Sequence, residues 1–303
     1  MTFENITVPI DGSESSRIAA DYGFWLSSAL PAKLAAQYVI DPKVCEGLFA
    51  PEVAEELGIQ LPLDATEKFL KAQKRIALLV LDLFKKQSIE QSVEEAQTCI
   101  DIGLVGPSIL KRTAGADLVI LGHHGKGQQG DDDPATGSIA RQIASECKCS
   151  VLLAKQPIQE LGPILLAYDG SATANGALVM AERLAVSLRK ELKVIHITPN
   201  NQQFPKAKLL MQKAATHLTS KASEYGSAFG NGKQFLDKVV FMVREGNPAE
   251  TLVDFARMTN GLLIVGADGS RPKTHRGFFG KTAAHILRNT KTSVLIFREN
   301  RAT

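Results

Sequence analysis

The chain has 303 residues, 44% of them hydrophobic, and 35 Lys and Arg against 32 Asp and Glu give a net charge of +3. That length suits two domains of ~150 residues, each able to bury roughly two thirds of its unfolded surface without a disulfide or metal staple. Four irregularly spaced cysteines exclude a disulfide framework, no apolar run approaches the roughly 20 residues that span a bilayer, and residues 1–5 lack the basic and apolar regions of a signal peptide, so the expected location is cytoplasmic, with no membrane partner.

Short β-branched or apolar runs alternate with longer segments of helical period, the pattern of a parallel sheet covered on both faces. The first strand is expected over residues 5–10 and runs into Asp11-Gly12-Ser13, where Ser13 can cap a helix by accepting a backbone N–H. A second strand is expected over 33–39. Residues 42–65, with Pro51 and Pro62, read as an irregular surface excursion. Residues 66–91 read as a helix with Lys68, Lys71, Lys74, Lys85 and Lys86 on its wet side and the apolar 76–81 run in the core. Strands three to five fall at 94–100, 117–121 and 150–154. Between the last two lie Gly122-His123-His124-Gly125 and, farther on, Gly137-Ser138, which opens a helix.

Residues 156–162 are polar and bear Pro157 and Gly162; they are the expected linker between a first domain, 1–155, and a second, 163–303. The second half places strands at 164–168, 191–197, 238–244, 261–265 and 293–297. Its helix starts are marked by Ser171 and by Asn247-Pro248, a cap followed by proline at the first helical position.

The halves are copies of one unit. At an offset of 158, Val8 to Ser13 fall on Leu166 to Ser171, and Val39 falls on Ile197. The offset contracts to 144 where Gly122 and Gly125 meet Gly266 and Gly269, then to 143 where Gly137 meets Gly280 and Val151 meets Val294. Repeats of this length are whole domains, not solenoid units. Up to Lys155 there are 15 basic against 21 acidic residues, a net −6, while the remainder has 20 against 11, a net +9. Opposite charge favours a docked pair. The basic residues of the second half are scattered and lack interleaved aromatics, so no nucleic-acid partner is expected.

An open parallel sheet binds ligands in the crevice at the carboxyl ends of its strands. Each half brings three elements there: the strand-one carboxylate (Asp11 or Asp169), the end of strand two (Val39 or Ile197), and the Gly-rich stretch after strand four. Glycines in that stretch either merely turn the chain or let backbone amides and the positive end of the next helix approach an anion. Their recurrence in both halves favours the phosphate cradle. Gly280-Lys281-Thr282 is not a P-loop, because the pattern needs glycine where the chain has His275.

In these residues each half resembles a universal stress protein domain, and the chain resembles a tandem member of that family, from Ile6 to Ala154 and from Pro163 to Phe297. The resemblance implies an α/β fold with two repeated open parallel five-stranded sheets of order 3-2-1-4-5, helices on both faces, Rossmann-like and of the adenine nucleotide alpha hydrolase type. It implies ATP or AMP as ligand, with magnesium accompanying a polyphosphate. Asp11 and Asp169 would contact the ribose, and the backbone at Val39 and Ile197 the adenine. Gly122, Gly125, Gly137 and Ser138 would hold phosphates in one half; Gly266, Gly269, Gly280 and Thr282 would do so in the other. Pro9, Ile10, Leu121 and Ile139 complete the first set, and Ala167, Val265 and Lys281 the second. Edge pairing through strand five is common in the family, which implies an intramolecular pseudo-dimer and admits a homodimer.

Both halves depart from the family's G-2x-G-9x-G-(S/T) loop. The first spaces Gly125 and Gly137 by 11 residues and fills the gap with Asp131, Asp132 and Asp133. Each carboxylate facing a phosphate costs about 1 kcal/mol at 4 Å in water. Either the loop turns outward or a divalent cation bridges acid to phosphate; three consecutive acids cannot all face one point, which favours the outward loop. The second half spaces Gly269 and Gly280 by 10, puts Lys281 in the Ser/Thr place, and carries Arg271, Lys273 and Arg276 against Asp268. Motif register favours the first half and charge the second.

Phe278-Phe279 is expected to pack the second loop down onto its domain. His123 and His124 lie inside the first cradle and face either ligand or solvent; His196 reads as a satisfied strand residue. Cys147 and Cys149 form a pair without further metal ligands. No trio of nucleophile, base and orienter is legible. The reading is a nucleotide-binding stress-response sensor, with a slow ATP hydrolase and a non-binding scaffold as alternatives.

Overall fold

The computed structural model describes residues 3–44, 64–93, 95–125, 136–225, 238–267 and 280–299. Strands β1 (Asn5–Pro9), β2 (Lys33–Ile40), β3 (Gln97–Ile102), β4 (Leu118–Gly122) and β5 (Ser150–Ala154) belong to the first half. The second half contributes β6 (Ile164–Ala167), β7 (Leu192–Thr198), β8 (Val239–Glu245), β9 (Leu262–Gly266) and β10 (Val294–Phe297). Helices α1 (Glu14–Ala29), α2 (Ala65–Glu90), α3 (Val105–Arg112) and α4 (Ser138–Glu146) are followed by α5 (Ala172–Ser187), α6 (Phe204–Tyr225), α7 (Pro248–Thr259) and α8 (Lys281–Asn289). Among the described residues, no helix is long and apolar enough to cross a membrane.

Each half has the expected order, 3-2-1-4-5, but the two sheets are not separate. They join in one ten-stranded sheet, β3-β2-β1-β4-β5-β10-β9-β6-β7-β8. Within each half every pairing is parallel; at the seam β10 runs antiparallel to β5, with Leu295 opposite Leu152. This removes the strand edge that each half would otherwise expose. It also explains why every residue of β5 and β10 is buried.

Two apolar layers cover the sheet. Val8, Tyr22, Phe84, Leu178 and Leu218 pack on one face, beneath α1, α2, α5 and α6. Ile109, Ile143, Leu252 and Ile286 pack on the other, beneath α3, α4, α7 and α8. Burying each such side chain contributes about 1.5–3 kcal/mol. Ser13, Ser171 and Asn247 cap α1, α5 and α7 as their positions imply, each accepting a backbone N–H.

Two expectations shift. Strand β3 starts at Gln97 and ends at Ile102, because it pairs residue for residue with β2 from Ala35 to Ile40. In α2, Ala77, Leu81 and Phe84 face the core, whereas Ile76, Leu78, Leu79 and Leu83 are exposed. A helix of period 3.6 can turn only one stripe of a continuous apolar run inward. The 45–63 part of the expected excursion lies outside the described residues, as does Glu94.

Where the halves meet, Lys155 and Gln156 are buried, while Pro157, Gln159 and Glu160 are exposed. Lys155 Nζ donates to Thr136 Oγ1 at 2.8 Å, to the Thr290 carbonyl at 2.7 Å and to the Leu287 carbonyl at 3.3 Å. Thr136 Oγ1 donates in turn to the Leu287 carbonyl. Gln156 Nε2 donates to the Asn260 carbonyl, and Tyr22 Oη lies 3.0 Å from Ser293 Oγ.

Candidate functional site

At the end of β1 the chain must turn sharply into α1. Asp11 Oδ1 accepts from the Ser13 amide at 2.9 Å, and Ser13 Oγ accepts from the Ser16 amide at 3.2 Å. Ser16 Oγ reaches back to accept from the Gly12 amide at 3.1 Å. Gly12 has φ of 80°, a conformation that excludes most side chains. The same turn recurs at Asp169, Gly170 (φ 77°) and Ser171, but Ala174 stands where Ser16 stands and has no hydroxyl to offer.

Beside the first turn opens a cavity of about 390 Å³. All ten site residues expected in the first half line it. Pro9, Ile10 and Asp11 come from the end of β1, and Val39 from β2. Leu121, Gly122 and Gly125 come from the end of β4; Gly137, Ser138 and Ile139 come from the start of α4. Val105 and Ile109 of α3 form an apolar wall.

The Gly-rich stretch is pinned at its mouth by the Gly137 amide, which donates to the His123 carbonyl at 2.7 Å. The amides of the first turn of α4 have no intrahelical partners and carry the positive end of the helix dipole. The glycines do different work. A Cβ on Gly122 would lie 2.6 Å from the Ser15 carbonyl carbon and oxygen, so this glycine lets α1 close on β4. Among the described residues, a Cβ on Gly125 would meet only Asp11 Oδ2, at 3.3 Å. His123 and His124 line the cavity with their rings 4.5 Å apart, and His123 Nδ1 lies 3.4 Å from Ser15 Oγ. Burial, reinforced by the Asp11 carboxylate, pushes the Tyr38 phenol above its usual pKa.

Gln37 was not expected in the site. It lies on β2 opposite Pro9, is fully buried, and lines the cavity with Val39. The signal for it was a polar residue inside an apolar strand, two positions before the expected adenine contact and therefore on the same strand face.

In the second half, Ala167 ends β6, Ile197 lies on β7, and Val265-Gly266 ends β9. The Gly280 amide donates to the Ala267 carbonyl at 3.3 Å, the counterpart of the Gly137 bond. Asp169, Lys281 and Thr282 are exposed. Leu210 of α6 packs against the turn, its Cδ1 only 2.6 Å from where a Gly170 Cβ would sit. Ile195 fills the position of Gln37. His196 Nδ1 is 2.7 Å from the Tyr168 carbonyl, as expected of a satisfied strand histidine.

Gly269, Asp131 to Asp133, Lys126, Asp268, Arg271, Lys273, Arg276 and Phe278-Phe279 lie outside the described residues. Cys147 and Cys149 are buried with their sulfurs 3.1 Å apart. No cluster of three or more His, Cys, Asp or Glu suited to a metal ion occurs among the described residues.

The universal stress protein family model matches residues 2–155 and again 160–298. Universal stress protein Slr1230 of a Synechocystis species is 26% identical over 97% of this chain and 100% of its own length. Universal stress protein MJ0531 of Methanocaldococcus jannaschii is 28% identical over 52% of this chain and 85% of its own. Among solved structures, a universal stress protein from Archaeoglobus fulgidus superposes with a TM-score of 0.67 at 17% identity, covering 97% of this chain and 98% of its own.

Proposed function

Because the chain belongs to the universal stress protein family, we propose that it binds an adenine nucleotide, AMP or ATP, in the first-half cavity and acts as a sensor. The observation that carries this reading is the convergence of three chemistries on one cavity. Val39, Val105, Ile109 and Ile139 provide an apolar slot for a base. Asp11 offers a carboxylate oxygen to ribose hydroxyls, and the start of α4 offers backbone amides and a helix dipole to phosphate. A volume of about 390 Å³ falls in the range of small-ligand sites, ~300–1,000 Å³.

Sensing needs a route from ligand to the rest of the chain. Thr136 precedes Gly137 and is hydrogen-bonded to Lys155 and to the Leu287 carbonyl of α8, so the cradle is tied to the seam between the halves. A nucleotide that holds α4 against the end of β4 stabilises one arrangement of that seam over others. The repeating units in this reading are residues 1–155 and 163–303, joined by 156–162.

The test is direct. The purified protein is denatured and released small molecules are identified by chromatography and mass; the emptied protein, refolded, is titrated with AMP and with ATP and magnesium. Recovery of AMP or ATP, or saturable binding, is the expected result. No recovered nucleotide and no binding at millimolar concentration would leave the fold as a scaffold.

A further inference from the structure

Gln37 brings a buried polar side chain to the cavity wall. Its Nε2 donates to Asp101 Oδ2 at 2.7 Å and to the Ser108 carbonyl at 3.1 Å. Both partners are acceptors, a carboxylate and a backbone carbonyl, so the amide cannot be turned round without setting oxygen against oxygen twice. Asp101 is held in place by Arg112 Nη2, 3.0 and 3.1 Å from its two oxygens. The flip of the Gln37 amide is therefore fixed by chemistry.

With both hydrogens committed toward β3 and α3, the carbonyl is the part of this side chain left for a ligand. Gln37 Oε1 is buried and has no hydrogen-bond donor among the described residues. A buried acceptor left unfilled is costly, and in a cavity wall it calls for a donor brought by whatever enters.

The fold does not require this arrangement. Ile195 occupies the equivalent place in the second half, opposite Ala167 as Gln37 is opposite Pro9, and Arg244 stands where Asp101 stands. The Arg112–Asp101–Gln37 relay belongs to the first half alone.

We infer that Gln37 Oε1 reads the base, accepting a hydrogen from an exocyclic amino group, and so selects a 6-aminopurine over a 6-oxopurine. The inference rests on the nucleotide reading above and adds the residue that sets base identity. A 6-oxo group would place a second oxygen against Oε1 and supply no hydrogen at that position.

The test titrates the full chain with AMP, IMP and N6,N6-dimethyl-AMP, which keeps the purine but has no N–H at position 6. The wild type should bind AMP at least about tenfold more tightly than either analogue, the ratio expected from one buried hydrogen bond. In Gln37→Leu the AMP-to-IMP ratio should fall to within about threefold of one. Equal binding of AMP and IMP by the wild type would overturn the inference and leave the nucleotide reading intact, as would a wild-type ratio preserved in Gln37→Leu. Failure of the wild type to bind any of the three would overturn both. The dimethyl analogue keeps the question answerable on the unaltered protein if the substitution impairs folding.

Discussion

Glycines that look equivalent in the motif separate once their neighbours are known. Gly122 has the backbone of Ser15 where its side chain would be, and backbone cannot swing aside. Gly122→Ala should therefore cost roughly 1–3 kcal/mol of stability, read as a lowered thermal midpoint whether or not ligand is present. Among the described residues, Gly125→Ala meets only a carboxylate oxygen, at 3.3 Å. It should leave the midpoint of the ligand-free protein within the small range of surface changes, about ±0.5 kcal/mol, yet weaken AMP binding by crowding Asp11, measured by titration calorimetry. The motif's spacing marked both positions but could not assign these roles, because nothing in a spacing says which glycine a neighbouring helix will touch. Gln37 was hidden for a related reason. A lone polar residue in a strand announces that something satisfies it, but the partners, Asp101 and Ser108, are 64 and 71 residues away in the chain.

At the scale of elements, the strands and helix caps were legible because period and capping chemistry are local. What was not legible was the burial of long-range partners. Lys155, the last residue before the expected polar linker, is enclosed by Thr136 and the carbonyls of Leu287 and Thr290. Burial lowers its ammonium pKa from 10.5 to about 7. Between those two values the unfolded chain holds the proton more tightly than the folded one, so the folded state gains as pH rises through this window and the gain is lost as pH falls back toward 7. Below pH 7 the charge is carried in both states and the full cost of burying it is felt. Lys155→Met removes this titration. The stability difference between wild type and Lys155→Met should therefore move in favour of wild type from pH 7 to pH 10, measured by parallel chemical denaturation. A difference that stays flat across the window would show that Lys155 keeps an ordinary pKa in the folded protein.

For the whole molecule, the antiparallel meeting of β5 and β10 makes one continuous sheet from two copies, and copies held together this way are free to diverge in their crevices without losing the fold. Divergence is visible at four matched positions. Ser16, Gln37, Asp101 and Ser138 in the first half correspond to Ala174, Ile195, Arg244 and Lys281 in the second. The first three changes remove groups that order the first site, the hydroxyl bracing the β1 turn, the buried amide and its carboxylate anchor, and the fourth puts a lysine where Ser138 lines the first cavity. The second half has the more favourable charge for phosphate, net +9 against −6. Diffuse charge raises local concentration and encounter rate, whereas held amides and shaped walls give affinity. Geometry should win. Titration calorimetry of the full chain with AMP should thus give one site per chain, not two. Gly137→Trp, which fills the first cradle, should abolish that binding, and Gly280→Trp should leave affinity and stoichiometry unchanged. A stoichiometry of two, or loss of binding with Gly280→Trp alone, would place working chemistry in the basic half and reverse the ranking of the two crevices.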